Sequence, residues 1–410
     1  MHVGHFTEQP WQDPDLMKRA ETVGTTDLGI SNRAYVPEIG ATLYNRYLDE
    51  KLFAEEVGFE GLMLNEHHSA PFCMQSVTNV GAAILARQTK KAKIVILGNI
   101  LPIWDDPLWL VEQLAMIDMI SNGRVVSGFV RGTGRESMSH NAPANYNRER
   151  FDEAHDFIVK AWTTPGPFRW EGKHYHYRYV NPWAVPVQKP HPPIWIPAVA
   201  SRETVVWTAR HRYPYIMLAT TLDITRQMFD LYERTAGELG YTAGPQNLGY
   251  LFRVHLEATE EKADEVGRRY TRGVNNPFNT TGNQGGQRPW ITAPPGHSSR
   301  DNARRRFELF RVMGGGGAPY EDQVKNYAII SGTPKSVMPR IRHVLETLRP
   351  GQIFFWDGDG GMTHDDQMRS LVLMSEVIKA TREIGKELGL VSAFEVDPAT
   401  AKPFPAVGAK

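Results

Sequence analysis

An acidic residue and two histidines, Glu66, His67 and His68, directly follow the apolar run from Gly61 to Asn65. A short apolar run that ends in a polar loop is typical of a buried strand. The carboxyl ends of strands are where α/β proteins collect their catalytic residues. A carboxylate and two imidazoles at such a position could bind a metal ion, transfer protons or stabilise an anion.

A second group of residues has the side chains that bind phosphate. Arg131 ends the apolar segment RVVSGFV, while Ser201 precedes a predicted helix that has Thr204 in its first turn. The free amides of a helix start favour an anion, and an arginine can hold a phosphate through two hydrogen bonds. These residues predict a phosphate clamp. A helix cap without a ligand and an ion pair at the rim of a barrel are the alternatives.

Segments with strand and helix patterns alternate along most of the chain, and they must position both groups. The predicted strands are 2–7, 60–66, 93–101, 124–130, 193–200, 215–220, 248–258 and 352–356. Nearly every strand is followed by a helical pattern, which predicts parallel pairing with right-handed crossovers. Eight such units favour a (β/α)8 TIM barrel with insertions over an open sheet. The first strand is not followed by G-x-G-x-x-G, which weakens a dinucleotide-binding alternative.

The domain organisation follows from the same alternation. We predict one barrel domain over 1–390, interrupted by a hairpin at about 165–193 and by a lid-like insertion at about 275–327. The insertion is rich in Gly, Asn, Gln and Pro, as is typical of a lid, a binding loop or disorder. Residues 391–410 are predicted to form a mobile C-terminal extension.

Composition restricts the class of protein. The 410 residues are 41% hydrophobic and 22% charged, and 46 basic residues balance 46 acidic ones. No global field therefore favours nucleic acid or an anionic membrane. The N-terminus lacks the pattern of a secretory signal, and no apolar run reaches the roughly 20 residues that span a bilayer. The single cysteine, Cys73, excludes an intrachain disulfide and a multi-cysteine zinc site. A cytoplasmic enzyme fits these features.

Several motifs together resemble the bacterial luciferase-like superfamily of flavin-dependent monooxygenases. They are Glu66-His67-His68, the strand KIVILGNILP, the stretch from Asp118 to Arg124, the strand ending in Arg131, the junction at Ser201, and Ser331-Gly332-Thr333-Pro334. The motifs occur in the expected order and on the expected predicted elements.

The resemblance implies roles for individual residues. For the cofactor it implies Arg131, Ser201 and Thr204 at the flavin phosphate, Asn99 at the flavin ring, and Ala200 and Arg202 at the same strand-to-helix junction. For catalysis it implies His67 beside the isoalloxazine, with Glu66 and His68 as its neighbours. We interpret Glu66 as orienting a neighbouring side chain rather than acting as a base.

The resemblance also implies an activity. It implies a two-component monooxygenase that uses reduced FMN and O2 through a C4a-(hydro)peroxyflavin to oxygenate a small organic substrate. A separate NAD(P)H:flavin reductase would supply the reduced flavin, and the enzyme would be a homodimer. The neutral composition and the aromatic loops favour an apolar or aromatic substrate.

Four aromatic residues occur in predicted loops at strand ends. They are Phe72, Trp104, Trp290 and Trp356. They could line a substrate pocket, although aromatic residues are more often part of the core.

Three alternative functions stay open at this point. A deazaflavin F420-dependent oxidoreductase would use the same barrel, and a non-catalytic flavin-binding protein would bind flavin without oxygen-dependent product. A metal-dependent barrel hydrolase would use His67 or His68 as ligands. Adjacent histidines suit a metal poorly, because alternating H-x-H directs both imidazoles to one side of a strand. We therefore expect no metal ion.

Overall fold

Eight parallel strands close into a barrel in the computed structural model, which describes residues 1–16, 30–274, 319–359 and 361–396. In barrel order they are β1 (His2–Phe6), β2 (Gly61–Leu64), β3 (Lys93–Ile100), β4 (Val125–Val130), β7 (Ile194–Ala198), β8 (Tyr215–Leu218), β9 (Leu248–Leu256) and β11 (Gln352–Trp356). β9 pairs with both β8 and β11, and this closes the cylinder. The predicted TIM barrel and its eight strands are confirmed.

Three further strands lie outside the cylinder. β5 (Phe168–Glu171) and β6 (His176–Val180) form the predicted antiparallel hairpin. β10 (Ile329–Gly332) pairs with the last four residues of β9 and was not predicted, because four residues carry little periodic signal. Most of the predicted insertion, residues 275–318, lies outside the described residues. Its lid role stays a prediction.

Helices follow the barrel strands and cover them. They are α1 (Pro37–Glu56), α2 (Thr78–Gln88), α3 (Pro107–Ser121), α4 (Gly134–Ser139), α5 (Asn147–Thr163), α6 (Arg202–Arg210), α7 (Leu222–Glu238), α8 (Glu260–Val274), α9 (Tyr320–Lys325), α10 (Pro334–Leu348) and α11 (His364–Glu387). Short hydroxyl side chains cap many of these helices directly after a strand: Thr133, Ser201, Thr221, Thr333 and Thr363. Such caps satisfy the first free amides and set the direction in which each helix leaves the sheet.

Alternation along the strands divides the apolar core into two layers. Ile94 and Ile96 of β3 pack in the layer between strands and helices, whereas Val95 and Leu97 pack inside the barrel. Period-two alternation is the direct cause, because successive strand side chains point to opposite faces. Residues at the strand ends that share the inward face therefore point into the mouth of the barrel.

The first residues of the C-terminal extension close the opposite end of the barrel. The ring of Phe394 lies 4.9 Å from that of His2 and 5.2 Å from that of Trp195, both near the starts of their strands. Glu395 accepts a hydrogen bond of 2.9 Å from the N-terminal amine. The mobility of the extension stays a prediction, and residues 397–410 lie outside the described residues. Ligands must enter at the carboxyl ends of the strands.

None of the helices within the described ranges is long and apolar enough to cross a membrane.

Candidate active site

A histidine–carboxylate pair lies at the carboxyl ends of the barrel strands. Nδ1 of His67, in the loop after β2, is 2.8 Å from Oε1 of Glu136 on α4. The Glu136 side chain is only 1% exposed, while that of His67 is 27% exposed. Because Nδ1 is used by Glu136, Nε2 is the ring nitrogen of His67 that can reach a ligand in the mouth.

The helix cap after β4 explains why Glu136 points at His67. Thr133 caps α4, and its backbone amide donates a hydrogen bond of 2.7 Å to Oε2 of Glu136. The Thr133 hydroxyl donates to the same oxygen, so the second oxygen, Oε1, is directed at His67. One carboxylate thus joins the loop after β4 to the loop after β2.

This pair favours the charged state of both side chains. Burial alone would lower the pKa of His67, but the hydrogen bond and charge of Glu136, together with the charge of Glu8, raise that pKa above 6.5. Burial alone would raise the pKa of Glu136, but the hydrogen bonds from His67 and Thr133 hold it well below its usual range. The raised pKa of His67 favours its imidazolium form, which is a proton donor.

Glu66 and His68 face away from His67. Oε1 of Glu66 is 3.3 Å from Nε2 of His68, whose ring lies 4.0 Å from the ring of His140 at the end of α4. The interpretation that Glu66 orients a neighbour agrees with this contact, but that neighbour is His68 and not His67. Residues 66 and 68 share one side of an extended segment and residue 67 points to the other. The residue that holds His67 is Glu136.

A Glu136→Gln substitution is expected to lower the pKa of His67, because it removes the carboxylate charge and leaves burial as the main influence. The folded-state pKa of His67 is raised, so its stabilising contribution is complete below 6.5 and is lost as pH rises from there through the higher folded-state pKa. The folded-state pKa of Glu136 is depressed, so its stabilising contribution is complete above 4.5 and is lost as pH falls from there towards the lower folded-state pKa. The stability difference between wild type and variant should therefore be greatest between pH 4.5 and 6.5.

Denaturant unfolding at a series of pH values measures that difference, and an NMR titration of the His67 ring measures its midpoint. Glu66→Gln is the matched control, since that carboxylate contacts His68 and should leave the His67 midpoint unchanged. Equal His67 midpoints in wild type and Glu136→Gln would contradict the assigned pairing.

The predicted phosphate-binding residues come together just after the carboxyl ends of the neighbouring strands β4 and β7. Nη2 of Arg131 lies 3.5 Å from Oγ of Ser201, and the hydroxyl of Thr204 donates to the same Oγ at 3.1 Å. Ala200 has a φ of 53°, so the chain turns sharply between β7 and α6. Arg202, in the first turn of α6, is exposed to solvent. The structure thus brings Arg131, Ser201 and Thr204 together.

A second arginine, which the sequence did not indicate, completes this group. Nη2 of Arg148, at the start of α5, lies 3.5 Å from the Thr204 hydroxyl. Its Nη1 is buried and has no hydrogen-bond partner among the described residues, although Oδ1 of Asp152 lies 3.6 Å away. Two guanidinium groups, two hydroxyls and the free amides of a helix start are a donor set that fits a phosphate.

Asn99 lies behind the mouth rather than in it. Its side-chain amide donates a hydrogen bond of 3.0 Å to Asn79 on α2, which in turn donates to Gln113 on α3. The carbonyl oxygen of Asn99 is buried without a partner in the described part of the chain. A contact of Asn99 with a flavin ring stays a prediction, and in this conformation its amide group points to the helical layer.

The four aromatic residues predicted to line a substrate pocket lie in different parts of the structure. The ring of Phe72 lies 4.7 Å from that of His67 and packs 4.5 Å below the guanidinium of Arg135. Trp356 packs inside the barrel, 5.3 Å from the ring of Phe6. Trp104 packs against the layer between strands and helices. Trp290 lies outside the described residues. Phe72 and Trp356 are therefore the two that the structure brings to the mouth.

His67 and His68 do not belong to a metal-binding group. Over the described ranges, the group whose ligand atoms lie within 4.8 Å of one another is His155, Asp156 and His211. The ring nitrogens of His155 both have partners already, since each lies 3.0 Å from an oxygen, one of Asp156 and one of Tyr213. The metal-dependent hydrolase thus gains no support at the predicted histidines.

Three residues of the mouth were not identified from the sequence alone. Glu136 could have been found, because Thr133-Gly134-Arg135-Glu136 has the spacing of a capping box. Arg253 is a charged residue at an inward position of the largely apolar strand β9, which is also a local signal. Arg148 lies in a polar first turn of a helix, where an arginine is unremarkable.

A family model described as luciferase-like monooxygenase matches residues 38–349. The oxygenase component of flavin-dependent trigonelline monooxygenase from Acinetobacter baylyi is 28% identical over 159 residues, which are 38% of this chain and 43% of that protein. The chain spans about half the length of the curated relatives that it matches.

Solved structures agree on the fold. The oxygenating constituent of 3,6-diketocamphane monooxygenase from Pseudomonas putida, a Baeyer–Villiger enzyme in complex with FMN, has a TM-score of 0.68 at 18% identity. The alignment covers 94% of this chain and 98% of that one. An F420-dependent secondary alcohol dehydrogenase has a TM-score of 0.63 at 13% identity, covering 93% of this chain and 99% of that one. At these identities the likeness concerns the fold alone.

Proposed function

The chain belongs to the luciferase-like monooxygenase family, and we propose that it is the oxygenase component of a two-component flavin monooxygenase. The observation that carries this proposal is the clamp of Arg131, Ser201, Thr204 and Arg148 beside the His67–Glu136 pair. The segment from Arg131 to Glu136 contributes to both groups. A phosphate-bearing cofactor and a proton donor would therefore act at one mouth.

The clamp residues would hold FMN by its phosphate. Arg131 and Arg148 would supply charged donors, and the Ser201 and Thr204 hydroxyls would supply neutral ones. FMN, when bound in its reduced form, supplies the electrons with which O2 is activated. The protein has no fingerprint for a nicotinamide dinucleotide after β1, so a separate flavin reductase would provide the reduced cofactor.

His67 would hold the proton that the reaction needs. Glu136 binds Nδ1 and raises the pKa of the ring, which favours the charged form in which Nε2 carries a proton towards the mouth. Phe72, against the ring of His67, and Trp356, inside the barrel, would restrict water beside that nitrogen. These side chains fit a small substrate with an apolar or aromatic body.

The proposal is tested by anaerobic loading with reduced FMN, followed by mixing with O2 and a probe panel. The panel consists of trigonelline and 3,6-diketocamphane, the molecules in the names of the two relatives above. We expect FMN-dependent incorporation of one atom of labelled oxygen into a panel member. Turnover with reduced F420 but not with FMN would favour the F420-dependent oxidoreductase, which has a structural neighbour. Tight FMN binding without any oxygen consumption would leave a flavin-binding protein.

We also propose that the enzyme is a homodimer that pairs through α2 and α3. Four large apolar side chains of these adjacent helices are 45–63% exposed: Val80, Trp109, Met116 and Ile120. Several exposed large apolar side chains on two adjacent helices are typical of an interface. Sedimentation of Met116→Lys should show a monomer where the wild type is a dimer. Val372→Lys, at a 57% exposed position on α11, is the control that should stay dimeric. A monomeric wild type would contradict the proposal.

A further inference from the structure

A buried arginine points into the barrel from β9. Arg253 shares the inward face of that strand with Leu251, which packs in the barrel interior. It is in register with Trp356 of β11 and is only 7% exposed. Arg253 therefore lies at the carboxyl end of the barrel, on the inner surface that faces the mouth.

Its guanidinium has no partner of opposite charge in direct contact. Within the described ranges, it forms no hydrogen bond and no ion pair, and its Nε is buried without a partner. Its close contact is with the indole of Trp356, whose ring centre lies 4.2 Å from Cζ. Buried arginines are normally paired, because an uncompensated charge away from water is costly. A position that keeps such a charge is suited to a ligand.

Glu8 does not neutralise Arg253. The two charges are close enough to interact, but no ion pair joins them, and a Glu8 oxygen accepts a hydrogen bond from Asn65 instead. Burial raises the pKa of Glu8, and the opposing influences include the positive charges of His67, Arg253 and Arg135. Of these groups, His67 is already paired with Glu136, whereas Arg253 acts on a carboxylate whose own ionisation burial disfavours, so the charge of Arg253 favours an anionic ligand.

The contact of Arg253 with Trp356 is compatible with a ligand at the edge of the guanidinium. A guanidinium that lies against an indole uses its flat face for that contact, while its N–H donors point outwards in the plane. That edge matches the two oxygens of a carboxylate. An aromatic or apolar body attached to the carboxylate could then pack against Trp356.

We infer that Arg253 binds a carboxylate of the organic substrate, so that the substrate is an organic anion and not an uncharged compound. That this anion is a substrate rests on the proposed function. The polar edge of a flavin ring presents related chemistry, since it carries anionic oxygen and nitrogen in reduced flavin. The experiment must therefore separate the two sources of the anion.

Binding of matched acid and amide pairs to FMN-loaded protein makes this separation. The probes are benzoate against benzamide, and cyclohexanecarboxylate against its amide, titrated by calorimetry. We expect each carboxylate to bind about 10-fold to 100-fold more tightly than its amide, the range of hydrogen bonds to a charged group. Equal affinities for acid and amide in the wild type would overturn the inference.

Arg253→Met and Arg253→Lys assign the discrimination to this side chain. In Arg253→Met the preference for the carboxylate should vanish, whereas Arg253→Lys should keep part of it, because the charge remains without the planar fork. Affinity for FMN should be unchanged in both variants. A loss of FMN affinity with an intact preference for carboxylates would mean that Arg253 serves the flavin, and would overturn the inference.

Thermal unfolding adds a readout that does not depend on activity. Arg253→Met should melt at the same temperature as the wild type or higher, because it removes a buried charge that no described residue neutralises by direct contact. Benzoate should raise the melting temperature of the wild type but not that of Arg253→Met. An Arg253→Met protein that melts far lower, or does not fold, would show a structural role and overturn the inference.

The inference and the proposed function can fail separately. A protein that prefers carboxylates through Arg253 but shows no FMN-dependent oxygenation would keep the anion site and lose the monooxygenase. Oxygenation of 3,6-diketocamphane with no preference for carboxylates would keep the monooxygenase and lose the anion site.

Discussion

His67→Gln should reduce product formation with the probe panel by about 100-fold to 10,000-fold, the usual contribution of a positioned general acid or base. The amide has a polar end of similar reach but cannot hold a transferable proton. FMN affinity should be unchanged, because the phosphate clamp lies on other elements. Electrons from reduced FMN would then go to hydrogen peroxide instead of product, so the ratio of peroxide to product measures the effect.

The prediction needs a histidine control from the same mouth. His140→Gln is suitable, because His140 is exposed at the end of α4 and contacts His68 rather than His67. It should keep the product-to-peroxide ratio of the wild type. Normal coupling in His67→Gln would refute the proton-transfer role and leave His67 as a structural partner of Glu136.

The barrel could be predicted because its signals are local. Most strands are largely apolar runs, several are followed by a hydroxyl cap and a helix, and eight repeats leave few alternatives to a closed cylinder. Neighbouring strands then placed Arg131 and Ser201 together, although 70 positions separate them in the chain. Strand order alone supplies this contact, since β4 and β7 pair and the hairpin between them lies outside the cylinder.

The partners of individual side chains could not be predicted in the same way. His67 binds a carboxylate 69 positions away, and the direction of that carboxylate depends on how one of its oxygens caps a six-residue helix. The position of Arg253 follows from strand alternation, but the lack of a partner for its Nε among the described residues is a property of the assembled mouth. A neutral overall composition favoured an apolar or aromatic substrate, whereas the charge that a binding site accepts depends on a few local residues.

Arg131→Met should raise the Kd for FMN by about 10-fold to 150-fold, corresponding to the loss of roughly 1.5–3 kcal/mol from charged hydrogen bonds. Riboflavin, which has the same ring system without the phosphate, should bind wild type and variant equally. The affinity ratio of FMN to riboflavin therefore reports on the clamp and cancels any change elsewhere in the mouth. Titration of flavin fluorescence measures both constants.

A double-mutant cycle with Arg148→Met sharpens the test. Both guanidinium groups lie 3.5 Å from hydroxyls that are themselves hydrogen-bonded to each other, so their effects on FMN binding should not add. Arg202→Gln compares the two arginines near Ser201. Because Arg202 is exposed, its loss should reduce FMN affinity less than the loss of Arg131 does. If Arg131→Met lowered FMN and riboflavin affinity by the same factor, the phosphate would not lie at Ser201. The clamp would then be a structural contact between β4 and α6, without a ligand.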